Sequence, residues 1–352
     1  MSEETYARLR ELLHGMPGGF PATESGVEMR ILKKIFSPED AKIASCLSRD
    51  PEPPATIARR CGTGEAEAAE RLASMASRGL IYREGEGEGV LFRAEQFIVG
   101  IYEYRLGAMD REMAELVEEY IPHIGLAMAG VKTLQTRFIP VGSAVDASHT
   151  IATYDRVRDL VNAHEVLGVK ECICRKQQGL LGKGCENPLE ICLMFGDFAG
   201  YHLKNGWPGR RIDAEEALRL LDLSEELGLV LLAENTREIR FVCSCCTCCC
   251  SGLRIIKALP NPGELLHSNY RSVLDAGRCN ACGACAERCP MDAVTEDGDS
   301  LRIDPRRCIG CGVCLPTCAQ NAIAFVEREE IAVPPLDSKD TLHRILVERG
   351  LA

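Results

Sequence analysis

Residues 279–290, CNACGACAERCP, and residues 308–319, CIGCGVCLPTCA, set four cysteines at the same relative positions, 1, 4, 7 and 11, twenty-nine residues apart. Three cysteines separated by two residues can turn their sulfurs inward from one tight loop, while the fourth stands beyond it. Gly283, Gly310 and Gly312 let the backbone approach whatever the sulfurs enclose. Between the halves, AVTEDGDSLRID reads as a hairpin turning at Asp297–Asp299. The halves differ at one point: Pro290 follows Cys289, whereas Ala319 follows Cys318, with Pro316 two residues before it.

Beyond this stretch the chain has 352 residues, long for one core, which predicts two or three domains. The formal net charge of −11 counts thiols as neutral, so bound thiolates would make the protein still more acidic. Nucleic acid and anionic membranes are disfavoured as partners. Twenty cysteines in a small secreted chain would suggest disulfides, but MSEETYARLRELLHG carries acidic residues and lacks the apolar core of a signal peptide. A reducing cytoplasm is expected, where clustered thiols ligate metals. The most apolar stretch, residues 121–145, is broken by His123, Lys132 and Arg137, so no membrane span is expected.

Taken in order, the chain opens with helices over 3–13 and 27–36. SPED at Ser37 supplies an N-cap and a Pro at the first position of a helix expected to reach about Leu47. A helix after Pro53-Pro54, another over 65–77 burying Ala68, Leu72, Met75 and Ala76, and a hairpin in GLIYREGEGEGVLFRA follow. Three helices and a hairpin over residues 37–95 resemble a winged helix-turn-helix. In that family the third helix and the hairpin tip would meet DNA, yet here they carry Glu65, Glu67, Glu70, Glu84, Glu86 and Glu88, which disfavours a duplex. A docking or packing module is expected instead. Residues 96–120 predict a helix or helix pair with Leu106, Met109, Met113, Leu116, Val117 and Tyr120 inside. RFIPVG opens the central domain, and a helix is expected over 154–167. The segment IDAEEALRLLDLSEELGLV predicts a helix capped by Asp213, with Glu216 completing a capping box and Gly228 closing it. A C-terminal helix over 339–349 reads as a surface tail or partner contact.

The central domain holds the remaining cysteine clusters. Cys172, Cys174, Cys185 and Cys192 offer four thiolates, enough for one cubane or one tetrahedral metal, and Gly179, Gly182, Gly184 and Pro188 allow the loop between them to fold back. FVCSCCTCCCSG adds Cys243, Cys245, Cys246, Cys248, Cys249 and Cys250, too dense for ordinary core packing. If the run is extended, Cys243 and Cys245 point one way and Cys246, Cys248 and Cys250 the other, placing it between two metal centres. Cys46 and Cys61 read as buried structural thiols, and His164 and His202 as packed or surface histidines. Arg175, Lys176 and Lys183 can offset thiolate charge. No dinucleotide fingerprint, phosphate loop, nucleophile elbow or HExxH is present.

The paired runs resemble a two-cluster 4Fe-4S bacterial-type ferredoxin, in which the cysteine before proline serves the other cluster. The resemblance implies one cluster on Cys279, Cys282, Cys285 and Cys318 and a second on Cys308, Cys311, Cys314 and Cys289. A zinc ribbon takes two separated pairs per ion and leaves the repeated third and fourth cysteines unexplained. Residues 150–325 also resemble a group of multi-cluster iron–sulfur proteins, many from anaerobes, that join ECICRKQ-like and CxCCxCCC segments to a C-terminal ferredoxin domain. That resemblance implies one or two further clusters in the centre. The expected architecture is α+β and multidomain: a helical lead (1–36), a winged-helix-like domain (37–95), a helical connector (96–150), a cysteine-rich central domain (151–270), a dicluster ferredoxin domain (271–327), and a linker with a C-terminal helix (328–352). The expected function is one-electron transfer to or from a redox partner protein. An oxidoreductase with a central catalytic metal and a cluster-dependent DNA-binding regulator are the alternatives.

Overall fold

The computed structural model describes residues 2–128, 130–146, 155–265 and 268–352. Helices Ser2–His14, Val27–Ile35, Pro38–Ala44, Pro54–Cys61 and Glu65–Ser77 precede an antiparallel hairpin of β1 (Tyr82–Glu84) and β2 (Leu91–Arg93), with a further bridge between Glu52 and Phe92. Ser37 caps its helix by accepting from the Asp40 N–H at 3.1 Å. This helix stops at Ala44, short of Leu47, because the N–H groups of Cys46 and Leu47 bond carbonyls three residues back and tighten the end. One buried apolar cluster runs without a break from Tyr6 to Ile124, so it crosses residues 36 and 95.

The last helix of this part, Arg111–Met128, continues through Pro122. The proline is exposed, so the Glu118 carbonyl it leaves unpaired can reach water rather than break the helix.

An antiparallel six-stranded sheet follows. Its strands are β3 (Thr136–Ile139), β4 (Leu167–Glu171), β5 (Glu190–Phe195), β6 (Arg210–Ile212), β7 (Val230–Glu234) and β8 (Phe241–Cys245), in the spatial order β3-β7-β8-β5-β4-β6. The helix expected over 154–167 is corrected: it spans Val157–Ala163, and Leu167 begins β4, whose first three residues, Leu167, Gly168 and Val169, are all buried. Tyr154 lies outside the described residues. The helix Ala214–Glu226 is capped by Asp213, which accepts from the Glu216 N–H at 2.7 Å. The return half of the expected capping box is not made, because the Glu216 carboxylate pairs with Arg210 at 2.6 Å.

In the C-terminal part β9 (Tyr270–Leu274) pairs with the final strand, and the hairpin of β10 (Val294–Asp297) and β11 (Ser300–Ile303) lies between the cysteine runs as its turn residues predict. The final strand, β12 (Ile323–Glu327), closes this unit against β9. The helix Ser338–Glu348 does not hang free. Glu348 accepts from the N–H groups of Lys132 and Thr133, both at 2.8 Å, and Arg349 donates to the His14 carbonyl at 2.9 Å, strapping the end of the chain to its beginning. Among the described residues no helix is long and apolar enough to cross a membrane.

The hairpin tip is also committed inside the molecule. Tyr82 stacks on Tyr201 at 4.7 Å, Lys204 pairs with Glu86 at 2.6 Å, and Trp207 stacks on Tyr104 at 4.3 Å while donating to the Ser77 carbonyl. These contacts bolt the helical part to the helix Gly196–Lys204 and the loop after it.

Candidate metal centres

Strand pairing assembles the first central group. Cys192 lies on β5 opposite Lys170, and the Leu193–Val242 pairing brings β8 alongside, so Cys192 and Cys243 become neighbours at adjacent strand ends. The Cys172 N–H bonds the Leu189 carbonyl at 2.7 Å, just past a bulge in β4, before the chain turns into the helix Ile173–Leu180. Cys245, at the end of β8, shares the face of Cys243.

After Cys245 the extended path ends in a turn closed by the Cys250 N–H on the Cys246 carbonyl at 3.0 Å, and Cys250 caps the helix Ser251–Lys257. The turn overrides strand alternation. Cys250 therefore returns to the side of Cys243 and Cys245, not to that of Cys246 and Cys248 as the extended reading has it.

Six thiols thus form a closed circuit, in the order Cys172, Cys174, Cys250, Cys245, Cys243, Cys192, in which each is influenced by the two beside it. Neighbouring thiol donors hold Cys172, Cys243 and Cys250 well below the usual thiol range, and the same contacts push Cys174, Cys192 and Cys245 up. All six face an apolar cavity of about 270 Å³ whose other walls include Val99, Tyr102, Glu103, Lys170 and Arg240.

The second group is Cys185, Cys246, Cys248 and Cys249, whose sulfurs all lie within 4.8 Å of one another. Cys185 is 3.9 Å from Cys246 and 3.6 Å from Cys249, and Cys248 is 3.8 Å from Cys249. These separations exceed a sulfur–sulfur bond of about 2.05 Å. Burial resists ionisation of Cys185, but the Asn187 backbone and side-chain amides lower it to about 7, the side chain standing 3.4 Å from the sulfur. Pairing Cys172, Cys174, Cys185 and Cys192 as one ligand set is therefore corrected: Cys185 leaves that set, and the other three join residues of the second run. Arg175 sits between the two groups, donating to the carbonyls of Pro188 at 2.7 Å and Ser244 at 2.6 Å. Burial alone would lower its pKa, but the neighbouring Cys172 and Cys246 raise it.

The C-terminal cysteines approach one another across the two runs. Burial raises Cys285, and the charges it then feels are those of Cys318, Cys279 and Cys282. Burial also raises Cys311, whose charged neighbours are Cys314, Cys289 and Cys308. The two runs are the same fold unit repeated. Positive φ values occur at Ala281 and Gly310, at Gly283 and Gly312, and at Asp292 and Asn321, each pair twenty-nine residues apart. Cys289 accepts from the Ala293 N–H at 3.2 Å, and Cys318 accepts from the Ala322 N–H at 3.2 Å. The missing proline after Cys318 leaves this turn unchanged.

Residues 271–324 match the 4Fe-4S dicluster domain. No curated protein and no solved structure matches the chain. The matched residues contain eight cysteines, and backbone N–H groups donate to the sulfurs of Cys279, Cys289 and Cys318, contacts that favour negative charge on sulfur. The first set is open to solvent at Cys282, whereas Cys308, Cys311 and Cys314 are buried.

Cys46 is buried as expected, but Cys61 is only half-buried, and the proximity of the two thiols lowers Cys46 to about 6 and raises Cys61. His202 is fully buried against Trp207, its Nε2 2.9 Å from the Pro208 carbonyl oxygen, and desolvation lowers it to about 4; it is a packing residue. The sequence did not single out Glu103 and Lys170, which only the tertiary fold places beside the six thiols.

Proposed function

We propose that this protein transfers single electrons between a redox partner and its own interior, through the dicluster domain to the six-thiol circuit. The observation that carries the reading is the order of exposure within the matched domain. Bound 4Fe-4S clusters would each accept and release one electron at these thiolates, with Cys279, Cys282, Cys285 and Cys318 holding one and Cys308, Cys311, Cys314 and Cys289 the other. Cys282 presents the first set to a partner. The second set is buried, and one apolar cluster joins Cys311, Cys289 and Met291 to Cys243, Cys245, Cys250 and Leu253 of the central region. Packing of this kind excludes water along the way and fixes the separation of donor and acceptor.

The six-thiol circuit has more sulfurs than the four corners of a cubane need, and it supports a further iron–sulfur centre there. Iron and sulfide counting on protein prepared without oxygen tests the reading. About eight sulfides per chain would leave the dicluster domain alone and sink the central acceptor, while about twelve or more would support it. The hairpin and the third helix fit a docking module, since Glu65, Glu67 and Glu70 are exposed and the tip is engaged by Tyr201 and Lys204. Salt-dependent retention on DNA would overturn that assignment.

A second reading, an oxidoreductase with its centre in the middle domain, is favoured by the cavity. Val99 sits on its wall at φ 58°, a conformation a β-branched residue rarely adopts and one that clusters at functional sites. Burial pushes Glu103 up to about 7, within reach of a proton-transfer role. A small molecule that alters the central centre's EPR signal, with the dicluster signals unchanged, would favour this reading over a pure relay.

A further inference from the structure

We infer that Cys185, Cys246, Cys248 and Cys249 form a closed cage for one divalent metal ion, zinc or ferrous iron, and not a ligand set for a cubane. In a tetrahedral thiolate site the metal–sulfur distance of about 2.3 Å fixes the edge between sulfurs at about 3.8 Å. The three recorded edges are 3.9, 3.6 and 3.8 Å, and every remaining pair lies within 4.8 Å. In a cubane each thiolate caps a separate iron at a different corner, so its sulfurs stand farther apart than around a single ion. Among the described residues no three of the six circuit thiols form a comparable compact set, so the central cysteines divide into two kinds of site.

Charge agrees with the geometry. Four thiolates around a divalent ion leave a net charge of −2, and two cations flank the cage: Arg175, close enough to Cys246 to feel its charge, and Arg254, which pairs with Glu118 at 2.7 Å and lies close enough to Cys249 to feel its charge. Four protein ligands leave no open coordination position, the pattern of a structural site. The ion would tie the loop carrying Cys185 to the turn at Cys246–Cys249, and that turn delivers Cys250 to the circuit. The inference does not depend on the relay reading.

The test is a comparison of iron, sulfide and zinc in the full chain purified without oxygen, together with X-ray absorption at the zinc edge. Cubanes contribute iron and sulfide in equal number, so a mononuclear ion appears either as one zinc per chain with four sulfur neighbours near 2.3 Å or as one iron in excess of sulfide. Cys248→Ser, at the most exposed ligand, should remove that one ion without removing sulfide, and Cys46→Ser should remove neither. Equal iron and sulfide with no zinc would overturn the inference, as would loss of about four irons and four sulfides in Cys248→Ser. The relay reading is judged on total sulfide, so the two can fail separately.

Discussion

The dicluster domain and the central region use eight and ten cysteines to opposite designs. In the dicluster domain one short backbone unit is repeated, and the two copies share their left-handed positions and their N–H contacts to sulfur. In the central region no unit repeats: two strand ends, a bulge, a turn and two helix starts each deliver sulfurs to a different place. Repetition makes a module that tolerates being moved between proteins, whereas the central thiols exist as groups only in this tertiary setting.

The repeated halves are equal in backbone but unequal in surroundings, and Gly310 exposes the difference most strongly. A Cβ there would fall 2.0 Å from the Tyr270 carbonyl oxygen and 2.3 Å from the Ser268 hydroxyl, at φ 67°. Its first-half counterpart, Ala281 at φ 55°, already carries a Cβ, and at Gly283, the left-handed glycine of the first half at φ 81°, an added Cβ would meet nothing within 4 Å. Gly310→Ala should therefore cost more than about 4 kcal/mol and prevent stable loading of the buried set. Gly283→Ala should cost only about 1–2 kcal/mol, the left-handed penalty alone. Thermal unfolding of both variants, cluster-loaded, checks this, and equal losses would erase the distinction between halves.

Exchange of ligands between the halves is the next point at which the comparison can break. Cys289→Ser should disturb the signal of the buried set built mainly by the second run, and Cys285→Ser that of the exposed set, each lowering iron by about four per chain if the cluster is lost. EPR of the reduced proteins separates them. If Cys289→Ser altered only the exposed set, the cross-linked assignment would be wrong and the two halves would be independent units.

These contrasts explain what could be read from the residues. The dicluster domain is legible because each tight loop is made by contiguous residues, and the third helix, Glu65–Ser77, because its apolar period is local. Cys250 was misplaced because a period-2 argument holds only while the chain stays extended, and one hydrogen bond to Cys246 ends it. Cys185 was grouped with its sequence neighbours, yet the long loop around it let it cross to the second run. Leu167, the first residue of β4, reads as the end of a helix because a single apolar residue cannot oppose the helical pattern before it. The fully buried His202 shows the reverse case, a residue whose bland assignment needed only packing to be correct.

The smallest expected effect tests how finely the two sets differ. Ser272, buried on β9, lies 3.3 Å from the Cys314 sulfur, and with Cys314 as a ligated thiolate the hydroxyl donates to it. Reduction adds negative charge at the buried set, so this donor favours the reduced state more than the oxidised one. Ser272→Ala removes the preference and should lower the potential of that set. A neutral hydrogen bond contributes about 1 kcal/mol, and a tenfold change of about 1.4 kcal/mol corresponds to about 59 mV for one electron, so the shift is bounded at about 40 mV. The exposed set should not move, because the sulfur that Ser272 bonds is that of Cys314 and the cavity it lines carries Cys289, Cys308, Cys311 and Cys314. An EPR-monitored redox titration resolves the two sets, and a rise in potential, or an equal shift in both, would show that solvent access rather than this hydroxyl controls the buried set.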